Sequence, residues 1–153
     1  MRALLAWGSA VVLGLGGGSP HLIKTITTGH GPCGAVAAFD SVWVANDGGT
    51  LVRINPKTNR VVRRIRVGAG ACSLAASRNA LWIANYKRGL TRVTPRGRVK
   101  TIDVGSAPFD VLVAYGRVWV SAWEAGELAV VDPATLKVVR RIDAAYPRRE
   151  ETG

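Results

Sequence analysis

From His21 to Ala144 the chain runs as short apolar stretches, rich in Val, Ile and Trp, interrupted by Asp, Asn, Gly and Pro. Val42 to Asn46 reads VWVAN, and its β-branched and aromatic content between turn residues predicts a strand. The pattern returns as LWIAN at Leu81 to Asn85 and as VWVSA at Val118 to Ala122. Trp43, Trp82 and Trp119 stand 39 (82 − 43) and 37 (119 − 82) positions apart. A period in this range marks an architecture stacked from one supersecondary unit.

Each repeat contains four strand-like runs. In the first these are Gly34 to Phe39, Val42 to Asn46, Thr50 to Ile54 and Arg60 to Val67. Phe39-Asp40-Ser41, Arg78-Asn79-Ala80 and Tyr115-Gly116-Arg117 sit at matched positions, and Asp, Asn and Gly tolerate tight hairpin dihedrals. Gly49, Gly89 and Gly126 mark the second turn, and Pro56, Pro95 and Pro133 the third. Proline is excluded from the interior of a paired strand, so these prolines bound strands. The repeat is a four-stranded meander.

Composition orients the meander. The first strand is small, as in Ala35-Val36-Ala37-Ala38 and Leu74-Ala75-Ala76, and suits crowding near a central axis. The fourth is bulkier and basic, with Val61-Val62-Arg63-Arg64-Ile65 matched by Val138-Val139-Arg140-Arg141-Ile142, and suits an outer rim. Radial four-stranded sheets of this kind are the blades of a β-propeller.

Glycine-led entrances (Gly31-Pro32, with Ala107-Pro108 matched to it), the VWVAN strand, and the closing RINP, RVTP and VVDP followed by VVRRI carry a family likeness. They resemble bacterial propellers with YVTN-type repeats and the related streptogramin-lyase-like propellers, over roughly Leu22 to Ala144. The expected fold is all-β: about three four-stranded blades, plus one orphan outer strand at His21 to Thr28, in an incomplete ring. Propellers use about four to eight blades, so further blades are expected after Ala144. The alternative is self-association of partial propellers, because an open arc exposes apolar sheet faces.

Composition bounds the rest. The chain has 153 residues, 48% hydrophobic and 20% charged, ordinary for one modest domain. Its net charge of +11 is not ordinary and comes mainly from arginine. Residues 1–19 place Arg2 before an apolar run from Ala3 to Leu15 and then small residues, the layout of a signal peptide. The run is shorter than the ~20 residues a spanning helix needs. Export is therefore expected, with residues 20–145 as the partial propeller, 146–153 as a polar tail, and membrane attachment only through an uncleaved leader.

Candidate chemistry is sparse. Cys33 and Cys72 occupy matched positions, and in an exported protein they could form a disulfide, provided neighbouring blades bring their Cα atoms within about 7 Å. His21 and His30 show no zinc-ligand spacing, so no metal or cofactor is expected. The lyases that the repeat resembles use a histidine-containing channel site with a divalent cation, and no residue here matches it position by position. No catalytic residue is assigned. The three repeated tryptophans read as packing residues, whereas Trp123 occupies the position of Asp47 and Tyr86. Asp47, Tyr86, Trp123 and Glu124 are the candidate rim for a protein or small-molecule ligand, and Asp110, matched to Gly34 and Ser73, is a second polar candidate. The arginine strands could bind polyanions or anionic membrane, but without interleaved aromatics they do not suggest specific nucleic-acid recognition. The leading functional expectation is a non-catalytic binding scaffold, with a fragment of a lyase-like propeller enzyme as the rival.

Overall fold

The computed structural model describes residues 22–144. The leader expected at 1–19 and the tail at 146–153 lie outside them. Twelve strands form three antiparallel sheets of four, each a meander of consecutive strands, and the described residues contain no helix. Blade 1 comprises β1 (Pro32–Ala38), β2 (Ser41–Asn46), β3 (Thr50–Asn55) and β4 (Arg60–Arg66). Blade 2 comprises β5 (Ala71–Ser77), β6 (Ala80–Asn85), β7 (Gly89–Val93) and β8 (Val99–Ile102). Blade 3 comprises β9 (Pro108–Ala114), β10 (Arg117–Ala122), β11 (Glu127–Val131) and β12 (Val138–Asp143).

Turn chemistry sets the strand ends. Phe39 and Asp40 have φ of 52° and 53°, and Tyr115 and Gly116 have 52° and 70°. Positive φ at both central residues is the two-residue hairpin geometry whose twist matches the flanking strands. Phe39 therefore belongs to the turn and β1 ends at Ala38, one residue short of expectation, while β1 starts at Pro32, where the first residue of a strand tolerates proline. The third turn is fixed by a side chain. Asn55 Oδ1 accepts from the amides of Lys57 (2.8 Å) and Thr58 (3.2 Å), and Asp132 Oδ1 accepts from Ala134 (2.8 Å) and Thr135 (3.0 Å). The amides of Thr135 and Ala134, with Arg117 nearby, hold the Asp132 carboxyl below its usual range.

The repeated tryptophan is anchored in every blade, by a backbone carbonyl in blades 1 and 3 and by a serine hydroxyl in blade 2. Each indole N–H donates five residues back: Trp43 to Ala38 O (3.0 Å), Trp82 to Ser77 Oγ (3.0 Å) and Trp119 to Ala114 O (3.1 Å). A buried indole needs such an acceptor. In blades 1 and 2 the cross-strand partner is an arginine, and its guanidinium lies over the ring: Arg53 over Trp43 at 5.6 Å and Arg92 over Trp82 at 5.8 Å. In blade 3 that partner is Val130.

Two apolar layers join the blades. Trp43, Ala45, Leu51 and Ile65 of blade 1 pack with Leu81, Ile83 and Val93 of blade 2. Trp82, Ala84, Leu90 and Ile102 of blade 2 pack with Val118, Val120 and Val131 of blade 3. The small first strands meet in series, β1 against β5 and β5 against β9, as crowding near an axis requires. The approach is close at Gly34, where a Cβ would collide with the carbonyl of Cys72.

Two departures from the sequence pattern matter. Residues 22–28 form no strand, contrary to the expected orphan outer strand (its first residue, His21, lies outside the described residues). Their counterparts β4 and β12 are strands because β3 and β11 lie beside them, and residues 22–28 have no such neighbour among the described residues. The segment is held only near its end. Thr28 Oγ1 donates to Asn46 Oδ1 (3.0 Å), and Arg64 reaches the carbonyls of Thr28 and Thr27. The second departure is that the three blades are unequally buried. Trp43 and Trp82 are 0% exposed, whereas Trp119 is only half-buried. Leu81, Ile83, Val118 and Val120 are fully buried, whereas Val42 and Val44 at the matched positions of blade 1 are half-buried, although Val52 and Ile54 beside them are buried. The ring is open.

Candidate functional site

The rim residues lie on one edge because the same backbone bond recurs in each repeat. The amides of Asp47, Tyr86 and Trp123 donate to the carbonyls of Gly31 (2.7 Å), Gly70 (3.2 Å) and Ala107 (3.1 Å). Each bond ties the second turn of a blade to its entrance loop. The Gly70 amide also donates to Asp47 O (2.8 Å), which stitches blade 1 to blade 2.

Four of the five sequence candidates are arranged along this edge. Tyr86 Oη donates to Asp47 Oδ1 (2.9 Å), so Asp47 serves as an interblade acceptor. Trp123 is 74% exposed, and its ring lies 6.4 Å from that of Phe109 at an interplanar angle of 50°. Phe109, itself 61% exposed, is the residue that the sequence reading missed. Its signal was present: it occupies the third-repeat position of Cys33 and Cys72, where a large aromatic breaks the pattern. Tyr86, Ala107, Phe109, Trp123 and Glu124 line a cleft of about 220 Å³. Lys87, Arg88 and Ser106 continue it as a polar groove that shares Tyr86, Ala107 and Glu124. Ala107 has φ of 48°, where the first two repeats use Gly31 (65°) and Gly70 (90°). An alanine in that region costs about 1 kcal/mol, and such strain tends to gather at functional sites.

Asp110 does not join this group. It lies in β9, accepts from Ser73 Oγ of blade 2, donates its amide to Ser121 Oγ (2.9 Å), and caps the Val111 amide (2.9 Å). These contacts pin β9 to β5 and β10, and Asp110 stays exposed. Cys33 and Cys72 are joined in a disulfide with Cα atoms 4.9 Å apart, inside the distance that bridging needs. Blades diverge outward from the axis, but the cysteines sit where the first strands are closest. His30 lies beside Gly48, whose amide bonds its carbonyl (3.2 Å). Among the described residues no three His, Cys, Asp or Glu side chains are grouped as metal ligands would be.

Three of the outer arginines have internal partners. Arg63 Nη2 donates to Arg96 O (3.1 Å), and Arg141 Nη1 donates to Val104 O (3.0 Å) and pairs with Glu127 (3.0 Å). Arg64 and Arg141, matched in the repeat, each clamp the linker that enters their own blade. In blade 2 the matched residue is Thr101, and Asn85 of β6 instead bonds the carbonyls of Val67 (3.3 Å) and Gly68 (3.0 Å).

No protein-family model and no curated protein sequence matches the chain. Solved structures do. Kuenenia stuttgartiensis hydrazine synthase aligns with a TM-score of 0.67 at 17% identity, over 81% of this chain and 39% of its own. Streptogramin B lyase aligns at 0.66 and 16% identity, over 76% of this chain and 41% of its own. The β-propeller domain of Myceliophteria thermophila Cps50 (Swd1) aligns at 0.63 and 12% identity, over 74% and 41%. The chain thus spans about two-fifths of each. At these identities the likeness is one of fold, and with three four-stranded sheets in series it defines the class: an open, three-bladed arc of a β-propeller.

Proposed function

We propose that the chain is an exported, non-catalytic binding scaffold of the YVTN or streptogramin-lyase-like type, whose ligand seats in the Phe109–Trp123 cleft. One observation carries this reading: two large aromatic rings stand mostly exposed against each other at the rim, beside Tyr86 and Glu124. Exposed aromatic clusters of this kind mark interaction sites. The rigid blades supply a fixed platform, so the ligand does not have to order the site. The cleft favours a flat apolar group, and the adjoining groove with Lys87 and Arg88 favours a polar or anionic end.

Naphthalene-2-sulfonate has both parts and serves as the probe in isothermal titration. It is expected to bind, and Trp123→Ala or Phe109→Ala is expected to weaken binding about 2- to 10-fold, the size of one aromatic pair. Equal affinity in wild type and Trp123→Ala would remove the cleft from the account. Arg63, Arg64 and Arg141 donate to backbone carbonyls, which leaves their positive charge in place, and Arg60, Arg66 and Arg140 on the same strands are exposed, so polyanion binding by the outer strands is the second reading.

A further inference from the structure

Both internal junctions use one pair of surfaces. The tryptophan face of a blade, carrying Trp43, Leu51 and Ile65 or Trp82, Leu90 and Ile102, meets the aliphatic face of the next, carrying Leu81 and Ile83 or Val118 and Val120. Blade 3 presents the same tryptophan face, and among the described residues no blade lies against it. Leu112, the cross-strand partner of Trp119, is 59% exposed, and Leu128 and Ile142 are half-buried where Leu51 and Leu90 are 0% exposed. Blade 1 presents the aliphatic face, with Val42 and Val44 half-buried.

We infer that a second copy of this chain covers these faces, with blade 3 of each copy against blade 1 of the other. The chain itself shows what packs on each face, because it makes that junction twice internally. A head-to-tail contact forms a finite assembly only if its rotation closes. Two copies supply six blades, within the range of about four to eight that propellers use, and three copies would exceed it.

One segment must yield. Thr28 stands to Asn46 as Val67 stands to Asn85, and the Ala144 amide bonds Gly126 O (2.9 Å) as the Val67 amide bonds Gly49 O (2.9 Å). Continuing the repeat therefore puts Thr28 of one copy and Ala144 of the other at one place. The β12 strand is paired along β11 from Val138 to Asp143, whereas residues 22–28 are in no sheet and Leu22 and Ile23 are 81% and 84% exposed. Residues 22–28 are the ones displaced.

Sedimentation velocity of the full chain over a concentration series tests this. The expected result is a reversible monomer–dimer equilibrium, built on the 16.2 kDa chain. Leu112→Asp puts a carboxylate into the junction from a position that the monomer leaves exposed. It is expected to weaken dimerisation about 100-fold or more, as an unpaired buried charge does, with an unchanged far-ultraviolet circular dichroism spectrum. Arg64→Ala frees residues 22–28 and is expected to strengthen dimerisation. A monomer at every concentration, an assembly larger than two copies, or association indifferent to Leu112→Asp would each overturn the inference. Naphthalene-2-sulfonate binding is expected to survive Leu112→Asp, so failure here is distinguishable from failure of the cleft.

Discussion

Trp82→Ala is expected to lower the free energy of unfolding by about 3–5 kcal/mol, the usual cost of truncating a fully buried tryptophan, and Trp119→Ala by less than half of that. The two residues share a strand position and an indole bond to the residue five back, Ser77 Oγ for Trp82 and Ala114 O for Trp119. They differ in what lies over the ring. Trp82 is 0% exposed beneath blade 3 and carries Arg92 at 5.8 Å, whereas Trp119 lies on the open face and is opposed by Val130. Trp43 should behave like Trp82, because blade 2 covers it. Urea denaturation at micromolar concentration, where association contributes least, makes the comparison. A domain of this size is stable by only about 5–15 kcal/mol, so Trp82→Ala removes a large share. Equal losses at the three tryptophans would mean that the third face is already covered in the monomer.

Reduction of the Cys33–Cys72 disulfide is expected to cost about 4 kcal/mol if the chain-entropy treatment holds for a loop of this length. The bridged residues are 39 positions apart. The bond ties β1 to β5, the strands where blades 1 and 2 are closest, and Gly34 next to it leaves no room for a side chain against the Cys72 carbonyl. Thermal melts with and without a phosphine reductant, checked by the Cys33→Ser, Cys72→Ser double variant, measure the effect. Unchanged melting in both would show that the apolar layer alone holds the first junction. A large effect would also fit the proposed export, because such bonds persist in oxidising compartments.

Much of this fold was legible because the repeat carries it in residue types. The VWVAN strand, the Asp40 and Gly116 turns and the prolines at 56, 95 and 133 each have a local physical cause, and three copies let each check the others. The fate of residues 22–28 was not legible. Their composition is that of an outer strand, but a strand exists only through a neighbour, and among the described residues no β3-like strand lies beside them. The distance between Cys33 and Cys72 was equally hidden, since a repeat period fixes matching positions and leaves the approach of two inner strands open. At the rim, Trp123 stood out because it broke the pattern of Asp47 and Tyr86. Phe109 broke the pattern of the cysteines just as clearly. Its meaning depends on its place next to Trp123, which the repeat period alone does not fix. Asp110 is exposed and lines neither the cleft nor the groove: its Oδ1 accepts from Ser73 and its backbone amide donates to Ser121.

Among the described residues three blades stand in an open arc, with only the middle one covered on both sides. Amide hydrogen exchange, read strand by strand on the monomer isolated by dilution or by Leu112→Asp, tests it most directly. The slowest exchange is expected in β6 and β7 of blade 2, where all but Arg92 are buried, with faster exchange in β10, β11 and β12 of blade 3. Equal protection of all three blades in the monomer would contradict the open arc.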